Sequence, residues 1–233
     1  ITGSALTLSQ GSFVFPKDKK IEVSSFSCSG SVSIWPNSIQ ATAGDIAISQ
    51  ANNSISESLT ASGTISISAD ITLRGNTTLT SSNGINIQSV SSNGGPYALT
   101  LAAGNSGIFL GSASSLSEII SNVSVFNISS ASSATLYNNI KTSKGNVSIS
   151  CPLKIAGNVT IDSSGGNVLL NQVLVSSTGS NCSLTIDSLT GSITVGDVGT
   201  KADYLKDLKI TGKEITLGEV RLNGDFNINN EGS

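Results

Sequence analysis

Histidine and methionine are absent from the 233 residues, aromatics make up 4% and charged residues 12%, and each scarcity closes off a class of function. Without histidine there is no Ser-His-Asp triad, and the usual zinc ligand sets cannot be assembled. A Ser-Lys dyad cannot be singled out among so many serines. The twelve basic residues are scattered apart from Lys17, Lys19 and Lys20, and the net charge is −3, so neither nucleic acid nor an anionic membrane has an electrostatic footprint to bind. Apolar runs span a few residues, far below the roughly 20 of a membrane helix, so membrane insertion by this segment is not expected. With no methionine and no basic-then-apolar opening segment, the chain start reads as internal or processed. Cys28, Cys151 and Cys182 show no CxxC spacing. The simplest expectation is small apolar side chains packed inside the fold. A structural disulfide between Cys151 and Cys182 is the candidate alternative, if the two stack on neighbouring turns.

What is plentiful is Ser, Thr, Asn and Gly, close to half the chain, interleaved with Ile, Leu and Val. The mean hydropathy is +0.16, too apolar for a disordered chain. Apolar and polar residues alternate in short runs such as Ile65-Ser66-Ile67, Ile85-Asn86-Ile87, Val147-Ser148-Ile149 and Ile193-Thr194-Val195, a period of two that predicts strands with one buried face. Gly, Asn and Ser interrupt them so often that an ordinary sandwich is excluded. Corresponding strand starts at Ile46, Ile65, Ile85 and Ile108 lie 19, 20 and 23 residues apart, which suits one turn of a three-sided coil.

A longer repeat overlies this. Gly63–Gly84 aligns without gaps on Gly145–Gly166 at an offset of 82, keeping apolar sites apolar except Thr77 opposite Val159. Ala98–Val125 aligns on Ser183–Ile210 at an offset of 85, and the unit reads as about four turns. The expectation is an all-β parallel β-helix, or β-solenoid, with three short strands per turn and ten or eleven turns. It fills residues 1–233 as a single segment, with units at 1–62 (partial and degenerate), 63–144 and 145–233. Two stretches break the pattern: Phe15–Lys20, expected as a protruding loop, and Lys201–Leu208, where strand is preferred over a helical turn.

The strings ALTLAAGNSGIFLGSASSL, ISNVSV, GNVSI and GNVTIDSSGGNVLL resemble the β-strand repeats of filamentous-haemagglutinin-like and autotransporter passenger proteins. The resemblance implies a right-handed parallel β-helix in a large exported bacterial exoprotein, extracellular or on the cell surface, that projects binding or self-associating surfaces. No secretion-targeting domain, membrane barrel or Arg-Gly-Asp tripeptide is recognisable.

Such helices also carry polysaccharide lyases and hydrolases, whose chemistry needs clustered acids; paired glycosidase carboxylates sit about 5 to 9 Å apart. Residues 101–200 hold only Glu118, Asp162, Asp187 and Asp197 as acids. The best cluster, Asp187, Asp197, Asp203 and Asp207 near Lys206 and Lys209, reads as solubilising charge. The calcium-binding nonapeptide of β-rolls does not occur, since Ser163 to Asn167 is a corner without its aspartate. Sugar-stacking candidates with a broad ring and polar handle are Trp35, Tyr97, Tyr137 and Tyr204, which are far apart; Trp35 beside Pro36 reads as a packing residue. Seven Asn-x-Ser/Thr sequons, at Asn52, Asn76, Asn122, Asn127, Asn146, Asn158 and Asn181, are about what composition produces by chance.

The sequence thus offers no catalytic, cofactor-binding or metal-ligating residue. The expected function is a non-enzymatic structural and adhesive rod whose partner is a receptor or glycan on a host or neighbouring cell. A self-assembling filament or surface-layer subunit with end-to-end contacts, and a carbohydrate-active β-helix enzyme, are the alternatives.

Overall fold

The computed structural model describes residues 1–16, 19–50, 53–113, 118–175 and 181–231, with the side chains of Ser33 and Ile34 left aside. Twenty-five short strands follow one another, and among the described residues there is no helix and so none able to cross a membrane. All the pairings are parallel, and most strands pair with the strand one turn before and the strand one turn after. The chain therefore winds as a β-solenoid rather than folding into facing sheets.

The registers resolve into three faces. Face 1 stacks Ile39, Leu59, Leu79, Leu101, Ile128, Ile149 and Leu170. Face 2 stacks Phe26, Ile46, Ile65, Ile85, Ile108, Ala134, Leu153 and Val173. Face 3 stacks Ile71, Val90, Ile120, Ile140, Ile161, Ile186 and Ile210. Every one of these side chains is buried, and their outward neighbours are mostly Ser, Thr and Asn. β-branched residues suit this half-buried pleat because their χ1 is already restricted. Following face 2 from Leu6 to Val220 counts about eleven turns, of 19 residues at the shortest (Ile46 to Ile65) and 26 at the longest (Ile108 to Ala134). At roughly 4.8 Å per turn the rod is about 50 Å long.

The long repeat falls out of phase with these turns. Ile65 lies on face 2 and its counterpart Val147 on face 1; Ile71 lies on face 3 and Leu153 on face 2; Leu79 lies on face 1 and Ile161 on face 3. The repeat therefore spans three full turns and two further sides, eleven sides instead of the twelve that four turns require. An outward residue kept in both copies is carried to a different face. The repetition records what a side of the coil demands and does not build a ligand row along one face.

Corners use two hydrogen-bonding devices. At the corner from face 3 to face 1, the inward hydroxyls of Thr142 and Ser188 donate to the carbonyls of Gly145 and Gly191, three residues on, at 2.6 Å each, and Ser163 does the same to Gly166. Ser81 repeats the device between faces 1 and 2, donating to Gly63 O at 2.6 Å and Gly84 O at 2.8 Å. These serines and threonines are buried, so part of the hydroxyl content lies inside the coil. In the second device an Asn or Asp side chain accepts a backbone N–H one turn on, as Asn146 does from Asn167 and Asn167 from Ser192, both at 2.9 Å. The sequons at Asn76, Asn146 and Asn158 are occupied in this way.

Irregular stretches differ in detail from expectation. Phe15 is tucked into the core, and Lys20 opens the strand Lys20–Cys28; Lys17 and Asp18 of the expected loop lie outside the described residues. In Lys201–Leu208 the backbone bends, with Thr200 Oγ1 accepting the N–H groups of Ala202 and Asp203. Only Leu205 makes a strand bridge, to Leu222, before the strand Leu208–Gly212 begins, because the hydroxyl turn competes with ladder pairing. Residues 116 and 117 of the matching segment lie outside the described residues.

Candidate functional site

A solvent-open groove of about 400 Å³ lies on face 2, at its corner with face 3. Two unbroken strands, Ile65–Leu73 and Ile85–Ser92, cross that corner on successive turns and form its floor. On the next turn the chain leaves the strand Gly107–Leu110 at Gly111, the next described strand begins at Ile120, and the departing Gly111, Ser112 and Ala113 make a wall. Gly111 has φ +80°, and a Cβ there would meet Ile119 and Asn138 side-chain atoms at 2.5 and 2.7 Å, so this exit requires glycine.

Phe109 dominates the rim. It points outward from face 2 in one register column with Ser66, Asn86 and Thr135, and it is 46% exposed. Tyr137, half-buried, closes the far side one turn on. The remaining lining is polar but uncharged, with Gln88 and Ser68 at the corner and buried Ile67 and Ile87 beneath. Among the described residues, no partner takes up the side-chain amides of Asn86 and Gln88 or the Ser68 hydroxyl. Phe109 escaped a search for rings with polar handles, yet the alternation Ile108-Phe109-Leu110 already pointed it outward. Of the four aromatic candidates only Tyr137 joins the groove. Trp35 is buried against Phe26, ring centroids 6.1 Å apart, in the packing role expected of it.

The acidic residues have a different arrangement. Asp197 and Asp207 are corner residues that accept the N–H groups of Glu219 and Asp225, each at 2.9 Å. That bond from Asp225, with the Ser183 hydroxyl, holds the Asp207 carboxyl below the usual carboxylate range. Its stabilising contribution is present above the unfolded-state pKa and is lost as pH falls through the lower folded value. A depressed pKa is the wrong direction for a general acid near neutrality. Asp187 sits on face 3, away from Asp197 at the corner of faces 1 and 2, so the acidic cluster is dispersed. Instead Asp187 is a register partner of Asp162, a pairing the sequence reading did not make. Asp162 accepts the Ser164 N–H at 2.7 Å and pairs with Lys141 at 3.4 Å, and Asp187 accepts the Leu189 N–H at 3.1 Å. Each carboxylate thus closes a turn. Among the described residues no group of three or more His, Cys, Asp or Glu is placed to hold a metal ion.

The structure does not bring Cys151 and Cys182 into a bridge. Cys151 lies at the corner of faces 1 and 2 and Cys182 just before face 3, and all three thiols are free and buried. Burial raises each thiol pKa, outweighing the hydrogen bond from Cys28 to Gly30 O. A thiol-exchange reagent such as Ellman's is expected to leave the native chain unlabelled for hours at pH 8 and to label three thiols at once in denaturant. Fast labelling of the native chain would show that these corners open.

No family model, curated protein or solved structure matches this chain. The functional reading rests on the geometry.

Proposed function

We propose that the chain is a non-enzymatic structural and adhesive module of an exported bacterial protein, a rod that holds a contact surface outside the cell. The observation that carries the reading is the division of labour on the rod's surface. Asp162, Asp187, Asp197 and Asp207 are bonded into corners, while the groove around Phe109 has no charged residue among its described lining and exposes an aromatic ring with open hydrogen-bonding groups beside it. Such a site binds and positions, and its described lining holds no carboxylate, histidine or lysine to transfer a proton. The likeness to haemagglutinin-type and autotransporter passenger repeats supports placement at a cell surface. The partner is then a receptor or glycan on a host or neighbouring cell, with no nucleic acid, cofactor or membrane insertion involved.

The test is a panel of polysaccharides assayed for reducing ends and unsaturated products, with and without calcium, beside adhesion of fluorescent chain to cells. No turnover is expected, and Asp162→Asn with Asp187→Asn leaves adhesion unchanged. Turnover abolished by those substitutions would establish the carbohydrate-active enzyme instead.

A further inference from the structure

We infer that the groove on face 2 binds an uncharged oligosaccharide, laid along the rod axis with a sugar ring against Phe109. The inference rests on the adhesive reading above and names its ligand class. Four features of the groove converge on it.

The ring is out of place for packing. Its register partners on the turns beside it are Asn86 and Thr135, yet position 109 holds a large apolar ring that is 46% exposed. An aromatic face carries negative charge density, which attracts the slightly positive C–H face of a sugar ring. Among the described residues the lining carries no charged side chain, so phosphate, sulfate or carboxylate groups would be desolvated there without a counter-charge.

Backbone recognition is closed off as well. The strands beneath are paired on both sides, Ile85–Ile87 with Ile65–Ile67 below and Ile108–Leu110 above, so an extended peptide finds no free N–H or C=O to extend the sheet. Recognition must come from side chains. The amides of Asn86 and Gln88 each offer both donor and acceptor, which matches the mixed capacity of sugar hydroxyls. Finally, the groove runs from Ser66 to Tyr137 across four rungs, a span of about 14 Å at the rung spacing, long enough for several linked rings.

The test titrates the chain with cello-, chito-, manno- and galacto-tetraose by calorimetry, with a sulfated tetrasaccharide and an uncharged octapeptide as comparisons. At least one neutral tetrasaccharide is expected to bind. Phe109→Ala should weaken it tenfold or more and Asn86→Ala several-fold, while Trp35 emission and thermal midpoint stay unchanged and Thr100→Ala on face 1 has no effect. Absence of neutral-saccharide binding, binding of the sulfated sugar or peptide alone, or wild-type affinity in Phe109→Ala overturns the inference. If cells still adhere to Phe109→Ala as to wild type, the ligand assignment fails while the adhesive module stands. If bound sugar is cleaved, the ligand assignment survives and the non-enzymatic reading falls.

Discussion

Leu153→Asp is expected to destroy the folded rod around its eighth turn, whereas Lys154→Asp, one residue on, changes stability by about 0.5 kcal/mol or less. Leu153 is fully buried between Ala134 and Val173 on face 2, and Lys154 points outward from the same strand. A carboxylate at position 153 sits in a column of aliphatic side chains, where the effective penalty for an unpaired ion is several kcal/mol. That is comparable to the whole stability of an ordinary domain, about 5–15 kcal/mol. Leu153→Ala, which only opens a cavity, should cost about 2–5 kcal/mol. Because each turn touches only its neighbours, the damage is local at first. Hydrogen exchange should show strands Ser133–Leu136 and Val168–Val175 losing protection before Ile46–Ile48. Equal effects at 153 and 154 would mean that the inward and outward assignment is wrong.

Gly166→Val has the next largest expected effect. Gly145, Gly166 and Gly191 stack on consecutive turns at the corner from face 3 to face 1. A Cβ at Gly145 would lie 1.1 Å from Ser124 O, one at Gly166 2.2 Å from Gly145 O, and one at Gly191 2.2 Å from Gly166 O. Close backbone approach, not a left-handed φ, demands glycine here. The obstructing atoms are main-chain, so relief requires the turns to separate, breaking the bond that the Thr142 hydroxyl donates to Ser163 O on the next turn as well. A loss of about 3 kcal/mol or more is expected in urea denaturation. Gly3→Ala, with nothing within 4 Å of its Cβ, should be nearly neutral.

The sequence disclosed the coil because a buried ladder leaves a direct trace: period-two alternation within strands, and recurrence of Ile46, Ile65, Ile85 and Ile108 that the structure places consecutively on face 2. The phase of the long repeat left none. A triangular coil makes its three sides nearly equivalent, so Gly63–Gly84 aligns on a copy rotated by one side as well as on one in phase. Ser81, Ser163 and Ser188 continue the inward parity of Leu79, Ile161 and Ile186, but a hydroxyl at an inward position looks in the string like the end of the strand. The groove was hardest to see, since its floor, rim and wall come from three successive turns and join only where the chain departs at Gly111.

Engineered disulfides test the winding most directly. Thr100 and Asn127 are register partners on face 1, whereas Thr100 and Thr185 share a repeat position but lie on different faces, three turns and two sides apart. With the native cysteines buried, a Thr100→Cys/Asn127→Cys chain is predicted to oxidise quantitatively while folded and to gain stability. The Thr100→Cys/Thr185→Cys chain should remain reduced. Ready oxidation of the second pair, or failure of the first in a folded chain, would contradict the eleven-turn coil.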